Sequence, residues 1–121
     1  MPDLYVPASM TRLAVAFTVV LAIIVALPGA AHAATCSNPK YPGSGYFTSL
    51  KVTKVSCSTG KKVAIAYYKC RLKHGVKGRC TSRVLGYTCK EKRTSIPTEI
   101  DARVTCKRGS KKVEHSYQQN T

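Results

Sequence analysis

Carboxylates are the scarcest functional groups in this chain: five Asp and Glu stand against 20 Lys and Arg, a formal net charge of +15 over 121 residues. Tryptophan is absent and Phe and Met occur twice each, so a core must be assembled from Val, Leu, Ile, Ala, Tyr and cystine. No Cys-x-x-Cys pair is present, and the gaps from Cys57 to Cys70, Cys70 to Cys80 and Cys89 to Cys106 match no zinc module. No Gly-x-Ser-x-Gly elbow marks a serine nucleophile. The shortage of acids leaves glycoside hydrolysis with Glu99 and Asp101, which could share a strand face, but a domain this small offers little cleft and both more simply answer nearby cations. The sequence therefore points to no metal site and no cofactor.

A membrane-length apolar run is also missing. Leu13 to Leu27 is apolar except for Thr18, short of the roughly 20 residues that span a bilayer. Arg12 precedes it, Pro28 and Gly29 break it, and Ala31-His32-Ala33 supplies the small-x-small pattern that a signal peptidase reads. Residues 1–33 are thus predicted to be a signal peptide, cut before Ala34. Met10-Thr11-Arg12 makes a more ordinary start than Met1-Pro2-Asp3, so translation from Met1 or Met10 stays open. Lipidation is not expected, because Thr35 directly precedes Cys36 and no leucine stands three residues before it.

What remains has room for one domain, and one that buries too little surface to be secure on hydrophobic burial alone. All six cysteines, Cys36, Cys57, Cys70, Cys80, Cys89 and Cys106, fall after the leader, and an even number in a short exported chain reads as a disulfide framework. Arg12 and Asp3 cancel within the leader, so the mature part carries the whole +15.

Residues 34–45, with Pro39, Pro42, Gly43 and Gly45, read as an irregular arm, and 46–121 as the disulfide-stapled domain. Alternation from Tyr46 to Val52 predicts a strand. Ser58 and Thr59 offer caps to a helix over 61–73, whose buried stripe is Val63, Ala66, Tyr67 and Cys70 and whose end is set by Gly75. Period-two patterns predict further strands over 83–90, 100–107 and 113–118, with 91–97 as a connection. The expected fold is α+β: one helix packed on a four-stranded, mainly antiparallel sheet in the order β-α-β-β-β. With the second strand placed parallel to the first by a right-handed crossover, Cys57 should pair with Cys89, Cys70 with Cys80 and Cys36 with Cys106. Cys70–Cys106 with Cys36–Cys80 is the alternative.

The run Val55-Ser56-Cys57 before Lys61-Lys62-Val63, the segment Gly86-Tyr87-Thr88-Cys89, Ala102-Arg103-Val104-Thr105-Cys106 and the closing Tyr117-Gln118-Gln119-Asn120-Thr121 resemble small, uncharacterised, cysteine-containing secreted proteins of actinobacteria. The resemblance runs from about Cys36 to Thr121; it implies export and disulfides and says nothing about a substrate.

Function is read from charge. The expected role is an exported, non-enzymatic binding domain, monomeric, that meets an anionic partner such as a cell-wall polymer, lipid head groups or an acidic protein through Lys51, Lys54, Lys61, Lys62, Lys69, Arg71, Lys73, Lys107, Arg108, Lys111 and Lys112. Nucleic acid would bind only non-specifically. The alternatives are a small hydrolase or ribonuclease using His74 and His115 as acid and base, and an inhibitor presenting a loop over 91–98. His74 beside Gly75 reads more simply as a helix end-cap, and His115 as a strand-face residue between Val113 and Tyr117.

Overall fold

The computed structural model describes residues 32–121; the predicted leader, apart from His32 and Ala33, lies outside the described residues. Its elements are β1 (Ala33–Thr35), β2 (Gly45–Thr53), α1 (Cys57–Leu72), β3 (Thr88–Ile96), β4 (Glu99–Arg108) and β5 (Lys111–Asn120). The strands form one sheet in the order β1-β2-β5-β4-β3 with every neighbouring pair antiparallel. The α+β class, the single helix and the β-α-β-β-β succession are as expected. The arm adds a fifth strand, because Ala33–Thr35 pairs with the end of β2.

One face of the sheet is apolar. Phe47, Leu50 and Val52 of β2, Ile100, Ala102, Val104 and Cys106 of β4, and Val113 and Tyr117 of β5 are buried, and α1 lies across β2 and β5. The helix starts earlier than predicted because Ser56, not Ser58 or Thr59, is the cap: its hydroxyl accepts from the Thr59 amide at 3.1 Å. The buried stripe is Gly60, Val63, Ala64, Tyr67, Cys70 and Arg71, one position round from the expected one, so Ala66 is half-buried. Gly60 permits the close approach to β2, where an added Cβ would meet Val52 Cγ1 at 2.5 Å. Gly75 takes a left-handed conformation (φ +91°) and donates to the Leu72 carbonyl at 3.1 Å, ending the helix as its position predicts.

The segment between α1 and β3 returns along the half of the sheet that the helix leaves bare, burying Gly78, Val84 and Tyr87. Of the strand predicted over 83–90, residues 88–90 do form strand, but the stretch before them is a two-residue turn. Val84 and Tyr87 exchange both backbone hydrogen bonds (2.9 and 2.8 Å) around Leu85 and Gly86, both at positive φ. The second long strand is β3, which starts at Thr88 and runs on through residues 91–96, predicted to be a connection. Glu91 and Arg93 disguise its inner face, because their charges occupy positions where alternation would show apolar residues.

Strand order also corrects the disulfides. Cys70–Cys80 forms as expected, but the other bridges are Cys36–Cys57 and Cys89–Cys106, with Cα atoms 5.5 and 4.0 Å apart. The second long strand runs antiparallel to the first and lies three strand spacings away, about 14 Å, beyond the roughly 7 Å reach of a disulfide. Cys57 cannot cross that gap to Cys89. Cys89 instead sits directly opposite Cys106, while the Cys36 amide donates to the Leu50 carbonyl at 2.9 Å and so holds its sulfur beside the start of α1.

Candidate anion-binding surface and the buried polar cluster

Two polar regions stand out, one sealed and one open. The sealed one lies between the C-terminal half of α1, the inner faces of β3 and β5, and the segment around Gly78. Arg71 is 1% exposed, which removes it from the predicted anion-binding set: the helix rotates its guanidinium inward. It donates to Tyr41 Oη (3.0 Å), Gln119 Oε1 (2.5 Å) and the Gly78 carbonyl (3.3 Å), and its centre lies 4.3 Å from the middle of the Tyr117 ring. These partners replace the hydration that a buried cation loses.

Beside it, Glu91 accepts from Tyr117 Oη (2.5 Å) and Tyr67 Oη (3.2 Å) and pairs with Arg93 Nε at 2.7 Å and Arg79 at 3.3 Å. Arg93 also donates to the Lys77 and Gly78 carbonyls at 2.7 and 2.9 Å. Burial pushes the Tyr41 phenol up to about 12, against the pull of Arg71, and raises Tyr67 and Tyr117 as well. These groups stay protonated and donate; none is poised to take a proton from a substrate.

The two histidines are not brought together. His74 is exposed beyond the helix end, its Nε2 3.2 Å from Thr81 Oγ1. His115 is 2% exposed, edge-on to Phe47 and Tyr67, with neither ring nitrogen hydrogen-bonded to protein. Desolvation by burial, then the nearby Arg71 charge, lowers it to about 4. An acid–base pair needs both imidazoles within reach of one phosphate, and His115 offers no surface to one. The proposed inhibitor loop over 91–98 is corrected too: residues up to Ile96 are β3, hydrogen-bonded to β4.

The open region is the other face of the sheet and its upper hairpin. Alternation turns Lys51, Lys90, Lys92, Arg103, Lys107 and Lys112 to this side, against Glu99, Asp101 and Glu114. Of the predicted cations, Lys107, Arg108 and Lys111 are exposed and Lys112 half-buried on the β4–β5 hairpin. Lys62 and Lys69, with half-buried Lys61, occupy the opposite side of the molecule on α1, and Lys73 caps its end; Lys61, Lys62 and Lys69 flank a shallow groove floored by Ile65 and Ala66. Sequence reasoning missed Lys90, Lys92 and Arg103; a strand reading of Lys90-Glu91-Lys92-Arg93 would have exposed the alternation.

Three cation pairs face each other directly across neighbouring strands: Lys92 with Arg103, Lys107 with Lys112, and Arg108 with Lys111. Directly opposed like charges destabilise a sheet. Among the described residues, the ion pairs outside the buried cluster reduce to Lys112 with Glu114, at 3.7 Å. Comparison with protein families, curated proteins and solved structures finds no match to this chain.

Proposed function

We propose that this is an exported, non-enzymatic binding domain whose basic surface engages an anionic partner outside the cytoplasm. The observation that carries the reading is the set of three opposed cation pairs. They weaken the sheet, and carboxylates that could offset them are absent from within 4 Å of Lys92, Arg103, Arg108 and Lys111 among the described residues. A bound anion relieves that repulsion and is attracted at long range by the mature chain's +15. Export is supported by the leader pattern of residues 1–33 and by three disulfides, which persist in oxidising compartments. No described helix is long and apolar enough to cross a membrane.

The test is capture of the oxidised domain on anionic wall polymer and on anionic vesicles from low to high salt. Binding that weakens steeply as salt rises supports a charge-driven partner. Capture indifferent to salt would overturn it.

A further inference from the structure

The open face narrows what the anionic partner is, resting on the binding reading above. Two shallow depressions meet on β3 and β4, the larger of them continuing across Ser116 of β5 to Thr48 and Ser49 of β2. One, of about 520 Å³, takes in Lys92 and Arg103 with Thr94 and Asp101; the other, of about 360 Å³, is lined by Thr88, Lys90, Thr105 and Lys107. The register sets these side chains in rows: Lys92 beside Arg103, then Lys90 beside Thr105, then Thr88 beside Lys107. Successive rows are about 7 Å apart, two residues of strand. Each row carries at least one cation, and hydroxyls stand between them. Asp101 closes the lower end, opposite Thr94. An anion on this strip is therefore met as a line of regularly spaced charges, not as a point.

The strip also lacks a feature. Neither β3 nor β4 contains an aromatic residue, and the exposed Tyr46 belongs to β2, on the far side of β5 and β4. Proteins that hold single-stranded nucleic acid gain much of their affinity by stacking bases on aromatic rings. Neither strand offers an aromatic ring to a base. Arg103 instead suits the forked recognition of a phosphate, and the lysines act as point charges on its neighbours.

We propose that the β3–β4 strip is a binding site for a linear phosphodiester polymer without bases, a chain of polyol phosphates lying along the strands over Lys92, Arg103, Lys90 and Lys107. Affinity comes from phosphates and hydroxyls, so removing bases costs nothing.

The test compares two triple variants that remove equal charge: Lys90→Gln/Lys92→Gln/Arg103→Gln on the strip, and Lys61→Gln/Lys62→Gln/Lys69→Gln on α1. Both sets are on the surface, and circular dichroism confirms that each variant is folded. The probes are synthetic poly(glycerol phosphate) and poly(U) at equal phosphate concentration, titrated over a range of salt. Three lost phosphate contacts should lower the slope of log K against log salt by about 2 for the strip variant and leave the helix variant's slope near the parent's, with poly(U) binding no tighter than poly(glycerol phosphate). Equal losses in the two variants would overturn the site while leaving the charge-driven reading intact. Preference for poly(U) by tenfold or more would overturn the ligand class. No binding of either polymer at low salt would overturn both readings.

Discussion

His115 makes the domain's stability depend on pH in a way the surface charges do not. Its ring is enclosed by Phe47, Tyr67 and the buried helix face, and the space beside it is too tight for a water molecule, so a proton there would be a charge without solvation beside Arg71. The folded-state value of about 4 lies below the 6.5 of an exposed imidazole. Between those two values the unfolded chain binds a proton that the folded chain excludes, so stability rises with pH across the window and is lost as pH falls. The slope is about 1.4 kcal/mol per pH unit, or about 3 kcal/mol in all. Against a net stability of roughly 5–15 kcal/mol for a domain, that is a large fraction. The perturbation is His115→Phe, which keeps an aromatic ring against Phe47 and Tyr67 and removes the titrating nitrogens; His115→Leu is the companion should Phe crowd the site. The assay is urea unfolding with disulfides intact at pH 7.5, 6.0, 5.0 and 4.5. The parent should lose about 2 kcal/mol relative to either variant between pH 6.0 and 4.5. A constant difference between parent and variants across the range would refute the reasoning, whatever the absolute stabilities.

Peptide mapping without reduction should yield Cys36–Cys57, Cys70–Cys80 and Cys89–Cys106, with no thiol open to alkylation; a peptide linking Cys57 to Cys89 would contradict the strand order. Glu91→Gln should cost about 3–5 kcal/mol in denaturant unfolding, because Arg93, 6% exposed in its side chain, would keep a buried charge without its partner; a loss under about 1 kcal/mol would show that the cluster does not hold β3. Intact mass of the exported protein should place its first residue at Ala34, leaving Ala34 and Thr35 of β1 on the β2 edge; a mass retaining 13–27 would show that the apolar segment is kept.

The elements that were legible in sequence are those whose pattern is set by water on one side and hydrocarbon on the other. In β4 and β5, Ile100, Ala102, Val104 and Cys106 and then Val113 and Tyr117 alternate with polar residues, and both strands form where that alternation runs. The helix was legible from Val63, Tyr67 and Cys70, though Arg71 was not, because a buried arginine satisfied by a carbonyl, a phenol and an amide has the same local sequence signature as a solvated one. Strand β3 was hidden for the related reason that its inward side chains are Cys89, Glu91 and Arg93. Placing the strand at 83–90 instead oriented it parallel to β2, and that one choice carried two disulfides with it. Cys70–Cys80 survived because it closes a loop too short to depend on sheet order.

The same concealment explains how a bare edge strand can serve as a binding platform. α1 lies across β2 and β5 and meets β3 at Tyr67 and Glu91, and a less supported edge of this kind would twist away or pair with another chain. Three fastenings hold it instead. Cys89 is bonded to Cys106, Glu91 is gripped by Tyr67, Tyr117 and Arg93, and Arg93 is tied to the Lys77 and Gly78 carbonyls. Because side chains alternate, fixing residues 89, 91 and 93 from inside fixes 90 and 92 from outside. The backbone positions of Lys90 and Lys92 are thus set before any ligand arrives, opposite Arg103 and Thr105, and less ordering cost is left to be met on binding. The buried charges of β3 and its exposed ones are two halves of one arrangement: the inner half resists the repulsion that the outer half creates.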